Sequence, residues 1–127
     1  MAQVRHRDTD IELKLRSALH RSGLRYQLHR RDLPGEPDIV FRRERVVVFV
    51  DGDFWHGYDF NELKTRLSPY WTERIERNRR RDRNVDRLLS AQGWHVLRCW
   101  QHEINNDLMQ CVCSVGSAIS DARRNVR

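Results

Sequence analysis

Asp38 follows the turn-rich run Asp32-Leu33-Pro34-Gly35-Glu36-Pro37 and opens the apolar segment Ile39-Val40-Phe41. A second apolar run, Val46 to Val50, leads directly into Asp51-Gly52-Asp53. Carboxylates carried on such a hairpin suit a hard divalent cation, which takes oxygen ligands and tolerates one or two carboxylates beside water and phosphate. A Pro-Asp pair alone is more often a turn than a metal site; the buried strand and the acidic residues that follow strengthen the metal reading. His56 sits in Asp53-Phe54-Trp55-His56, bracketed by Gly52 and Gly57 in a stretch too aromatic for an ordinary solvent loop. An imidazole near its neutral pKa can take a proton from an attacking water, although a single His is more often a hydrogen-bonded structural residue.

Asp82 is unusually placed. The apolar stripe of a long helix reads Trp71, Ile75, Asn78, Asp82, Val85 and Leu89, so an acid falls on the face meant for the core. An ionised carboxylate there is costly unless paired, and His56 would make a suitable partner. The rest of the helix carries Arg74, Arg77, Arg79, Arg80, Arg81, Arg83 and Arg87. Such runs are usually solvated faces. The consecutive Arg79, Arg80 and Arg81 nevertheless repel one another, and a phosphate backbone would relieve them better than Glu73, Glu76, Asp82 and Asp86 do.

The elements that must position these groups alternate between helix and strand. Thr9-Asp10-Ile11-Glu12 has capping-box spacing, and Ile11, Leu15, Ala18 and Leu19 recur helically until Ser22-Gly23, which predicts a helix from Asp10 to Ser22. A short strand is expected near Tyr26 to Leu28, a second at Asp38 to Phe41, and a third at Arg45 to Val50, apolar on both faces and therefore central in a sheet. Asn61 to Pro69 reads as polar linker, Trp71 to Gln92 as the long helix, and His95 to Trp100 as a further strand. One closing helix carries Ile104, Leu108, Cys111, Val112, Val115 and Ile119. The expected architecture is a single α/β domain over residues 1–127, with the first eight residues and the tail from Arg123 frayed.

At 127 residues the chain has room for one core. Lys and Arg number 24 against 18 acidic residues, and only Lys14 and Lys64 are lysines. Arg forks phosphate oxygens, so a basic, Arg-rich domain leans toward nucleic acid, although a GC-rich genome would enrich Arg as well. Cys99, Cys111 and Cys113 lack C-x-x-C spacing and are read as reduced thiols. No apolar run is long enough to span a membrane and Met1 to Asp8 is polar, so an intracellular protein without membrane association is expected.

Five linked motifs resemble the very short patch repair (Vsr) endonucleases: Asp8-Thr9 through Glu12; Leu33-Pro34-Gly35-x-Pro37-Asp38; Phe49-Val50-x-Gly52-x-Phe54-Trp55-His56; Trp71 with Asn78 and Arg81-Asp82; and Gly93-Trp94-x-Val96-Leu97. The resemblance runs from about Arg7 to Glu103. It implies a restriction-endonuclease-like fold, a central mixed β-sheet flanked by α-helices, of the EDxHD group related to PD-(D/E)XK nucleases, nicking duplex DNA with Mg²⁺. On that resemblance Asp38 is the metal-binding aspartate, the main-chain carbonyl of Val50 a second ligand, His56 the general base, Asp82 its orienting partner and Glu12 the N-terminal acid of the site. The capping box explains Glu12 without any catalytic role. Phe54, Trp55 and Trp71 match aromatics that wedge into the base stack, where stacking can offset the cost of opening a step; a core role would explain them too. Trp71, Asn78 and the three consecutive arginines belong to the DNA-facing set.

The departures from the family are specific. Cysteines and a histidine that hold a structural zinc in the repair enzymes are replaced by Asp53, Tyr58, Phe60 and His102, so no structural zinc is expected, and an Asp53–His102 contact could tie loop to strand instead. A phosphate-touching histidine becomes Asp51, which would repel phosphate or add a metal ligand. The leading expectation is a Mg²⁺-dependent DNA-nicking endonuclease in mismatch repair, restriction or defence, or mobile-element cleavage. The alternatives are a Vsr-like DNA-binding subunit that no longer cuts and, more weakly, an RNase. Protein partners are not legible.

Overall fold

The computed structural model describes residues 9–53 and 68–125. Helix α1 (Asp10–Arg21) begins where the Thr9 hydroxyl accepts from the Glu12 amide at 3.3 Å, and it ends at Ser22, followed by Gly23 at φ 92°. Strands β1 (Gln27–Leu28), β2 (Ile39–Phe41) and β3 (Val46–Asp51) form an antiparallel run, and β4 (His95–Trp100) lies parallel to β3. The result is a mixed four-stranded sheet in the order β1-β2-β3-β4, as the expected α/β class requires.

Helix α2 (Pro69–Ala91) carries the chain from β3 toward β4. It starts two residues before the expected Trp71. Ser68 stands at the cap and Pro69, read as linker from sequence, occupies the first turn, where its missing N–H costs nothing and its fixed φ suits the helix. The closing segment is two helices rather than one, α3 (Gln101–Asn106) and α4 (Leu108–Asn125). Asp107 divides them: its backbone leaves the helical region (φ −150°, ψ 66°), and its carboxylate accepts from the Gln110 amide at 3.2 Å, capping the new helix. α4 continues through the arginines expected to fray, and Arg123 pairs with Glu44 at 2.9 Å.

The alternation along the strands sorts the core into two layers. Ile39, Phe41, Val46, Val48 and Cys99 pack with Leu15 and Leu19 of α1, Ile104 of α3, and Val115 and Ile119 of α4. Val40, Val47 and Phe49 point the other way, onto Val85 and Leu89 of α2 and onto Trp94. β3 is buried on both faces along Val46 to Phe49, which places it centrally. Its carboxyl end therefore delivers successive residues to opposite sides of the sheet.

The turn before β2 is pinned against α2. Gly35 has φ 74°, and a Cβ there would lie 2.6 Å from Val85 Cγ1 and 3.3 Å from Phe49 Cε1. Only glycine allows that approach, which fixes Pro37 and Asp38 relative to the long helix.

Candidate active site

Glu12 is charged yet 1 % exposed. Thr9 caps α1 through its hydroxyl, while the Glu12 carboxylate turns inward, 2.7 Å from His29 Nε2 and 3.0 Å from Arg16 Nη1. The capping role is thus not a complete account of Glu12. His29 follows β1 with φ 48°, a left-handed conformation uncommon for a non-glycine residue, and its amide donates to the Asp38 carbonyl at 3.3 Å. The Asp38 carboxylate is oriented by the Val50 amide, which donates to Oδ2 at 2.7 Å. One ligand atom each from Glu12, His29 and Asp38 lies within 4.8 Å of the others. Two carboxylates and an imidazole at that separation form a donor set that fits a divalent cation.

The next residue along β3 serves a different cluster. Asp51 is 2 % exposed, and both its carboxylate oxygens meet Arg98 Nη1, at 3.0 and 3.1 Å. Arg98 stands opposite Phe49 on β4 and stacks over its ring, 4.3 Å from the centroid. The same guanidinium reaches α2, with Nη2 2.7 Å from Asp86 Oδ1, Nε 3.0 and 3.1 Å from the two Asp86 oxygens, and Nη1 3.8 Å from Asp82 Oδ1. Burial disfavours the Arg98 charge. The hydrogen bonds to Asp86 and the charges of Asp51, Asp82 and Asp86 outweigh it and hold its pKa above the usual value.

A family model described as DNA mismatch endonuclease Vsr matches residues 1–62, the segment that carries Glu12, Asp38 and the end of β3. V.XorIIP, a type II nicking enzyme of Xanthomonas oryzae pv. oryzae, is 46 % identical over 108 residues, covering 84 % of this chain and 79 % of its own. The chain belongs to the Vsr endonuclease family. V.NmeDIP, a type II nicking enzyme of Neisseria meningitidis serogroup C, is 37 % identical over 124 residues, 95 % of this chain and 84 % of its own. The DNA mismatch endonuclease Vsr of Escherichia coli is 39 % identical over 104 residues, 80 % of this chain and 66 % of its own.

Of the residues singled out from sequence by their likeness to the Vsr family, Glu12 and Asp38 come together, and Asp51 and Asp82 share Arg98. His56, Phe54 and Trp55 lie outside the described residues. Trp71 and Asn78 are half-buried on α2, as is Arg79, while Arg80 and Arg81 are exposed. His102 Nδ1 and its amide meet Asp53 Oδ1 at 3.0 and 3.4 Å, joining the start of α3 to the residues after β3.

Two residues escaped the sequence reading. His29 gives no periodic signal, since it stands in a short non-helical stretch and acts through its backbone conformation. Arg98 carried a legible mark, an arginine inside the strand Val96-Leu97-Arg98-Cys99-Trp100. Its inward aim follows from the alternation with Leu97 and Cys99, which pack on the other layer.

Proposed function

We propose that this chain is a DNA-nicking endonuclease that depends on Mg²⁺. The observation that carries the reading is the convergence of Glu12, His29 and Asp38 beside the end of β3, in a chain of a family whose members are named for nicking and mismatch cleavage. Asp38 would hold the ion, with the Val50 carbonyl as a further ligand and Glu12 and His29 completing the donor set. Bound there, Mg²⁺ supplies charge stabilisation for a phosphodiester under attack.

The remaining tasks fall to protein groups. The Val50 N–H fixes the aim of the Asp38 carboxylate, so its geometry is set before DNA arrives. His56 is the proposed general base, with Asp82 orienting its ring. Arg79, Arg80 and Arg81 are proposed to take the phosphate backbone with Asn78; Arg80 lies 3.9 Å from Glu76, an exposed pair of little strength. Trp71, Phe54 and Trp55 are the proposed stacking aromatics, and the Asp53–His102 contact is proposed to tie the loop to α3 in place of zinc. Among the described residues no helix is long and apolar enough to cross a membrane; a DNA substrate implies work inside the cell.

Nicking of duplexes with and without a T:G mismatch, in Mg²⁺ and in chelator, tests the proposal. Mg²⁺-dependent single-strand cleavage that Asp38→Ala removes is the expected result, and preference for the mismatch would assign repair over general nicking. Salt-sensitive binding with no cleavage in any divalent ion would instead make the chain a DNA-binding subunit.

A further inference from the structure

We infer that Arg98 is a positioning residue that withholds Asp51 from the metal centre and fixes Asp82 of α2 against β4. The inference rests on the metal-dependent reading above and goes beyond it. Asp51 is a buried carboxylate adjacent in sequence to Val50, whose amide orients Asp38. Relieved of an arginine, such a carboxylate is a competing ligand for a divalent cation. Here both its oxygens face one guanidinium nitrogen at 3.0 and 3.1 Å.

The same guanidinium is held from three other directions. Phe49 lies beneath it, Asp86 takes Nε and Nη2, and the Asp82 carbonyl accepts from Nη2 at 3.4 Å while its carboxylate lies 3.8 Å from Nη1. A planar fork clamped by a ring and two carboxylates has little rotational freedom, so it transmits the position of β4 to both Asp51 and Asp82. Lysine, a point charge on a flexible stem, could satisfy one of these partners but not all of them. The charge of buried Asp51 is thereby answered within the protein.

The test uses the full chain and two independent readouts. Mn²⁺ binding, followed by electron paramagnetic resonance without DNA, should weaken about tenfold or more in Asp38→Asn and stay within about twofold of wild type in Asp51→Asn. Arg98→Met should gain Mn²⁺ binding, as a tighter or additional ion, and Arg98→Met with Asp51→Asn should lose that gain. In nicking assays Arg98→Met should lower kcat about 10- to 100-fold with KM for DNA little changed, and Arg98→Lys should recover part of the loss. Equal weakening by Asp51→Asn and Asp38→Asn would make Asp51 a ligand and overturn the inference. Wild-type kcat and Mn²⁺ binding in a folded Arg98→Met would also overturn it. Should Arg98→Met fail to fold by circular dichroism, Asp51→Asn and Arg98→Lys carry the same two readouts. A wild type that does not nick would refute the proposed function, while the Mn²⁺ comparison would still decide the role of Arg98.

Discussion

Val50 and Asp51 are neighbours on one strand, yet they end in opposite electrostatic settings. On the Val50 side, Glu12 and Asp38 stand with an imidazole, and Arg16 pairs with Glu12. On the Asp51 side, three carboxylates crowd a single arginine. The first arrangement brings two carboxylates and an imidazole within 4.8 Å and suits an added cation; in the second a single protein cation already gathers three carboxylates. An acidic cluster is thus not read from its carboxylates alone. What decides its use is how many of its carboxylates a guanidinium gathers: Arg16 holds Glu12, whereas Arg98 draws Asp51, Asp82 and Asp86 together.

The sharpest way to break that contrast is to remove the key residue of each cluster. Asp38→Asn should cut nicking by about 10³-fold or more, while leaving stability within about 1 kcal/mol, because the amide oxygen can still accept from Val50 N–H and a like charge beside Glu12 disappears. Arg98→Met should do the reverse in stability, costing about 3–5 kcal/mol, since it takes the Arg98 charge away from buried Asp51 and from Asp82 and Asp86. Chemical denaturation of both variants reads the crossing directly. If the two lose stability equally, the clusters do not differ as described.

Smaller effects sharpen the same picture. His29→Ala should raise the Mg²⁺ concentration needed for half-maximal nicking about tenfold, with KM for DNA unchanged at saturating Mg²⁺. Replacing Arg80 and Arg81 by Ala should leave the Mg²⁺ requirement alone, weaken DNA binding and reduce the magnitude of its salt slope by about 2. Measured binding at three salt concentrations separates these outcomes.

The smallest effect concerns the dry side of the same strand pair. Cys99 lies opposite Val50 on β4, and burial pushes its thiol up to about 12. Below its ordinary value of 9.0 both folded and unfolded chains keep the proton, so stability is full there. As pH rises toward 12 the unfolded chain loses the proton first and stability falls, by about 1–2 kcal/mol at pH 10. Relative to wild type, Cys99→Ala should therefore unfold with a shallower alkaline decline.

Much of this arrangement was legible in the residues. Strand alternation and helical spacing located the sheet and the long helix, because apolar periodicity is imposed by the core itself. The polar member Asp82 on an apolar stripe pointed to a need for a partner, and its side chain is half-buried. The described structure supplies Arg98 as one, a residue sixteen positions on, in another element, which spacing along a helix cannot reveal. His29 was illegible for a related reason: its contribution depends on a left-handed backbone and on β1 meeting α1, and neither leaves a repeat in sequence. The break at Asp107 followed from local side-chain capping, whose signal in Asn105-Asn106-Asp107 was hidden by continuous apolar spacing across it.

Anomalous scattering from crystals of the chain grown in Mn²⁺ addresses the central claim most directly. The account predicts an ion within about 2.3 Å of an Asp38 carboxylate oxygen, shared with Glu12 or His29, and none on Asp51. An ion coordinated by Asp51, with Arg98 displaced from it, would contradict the account.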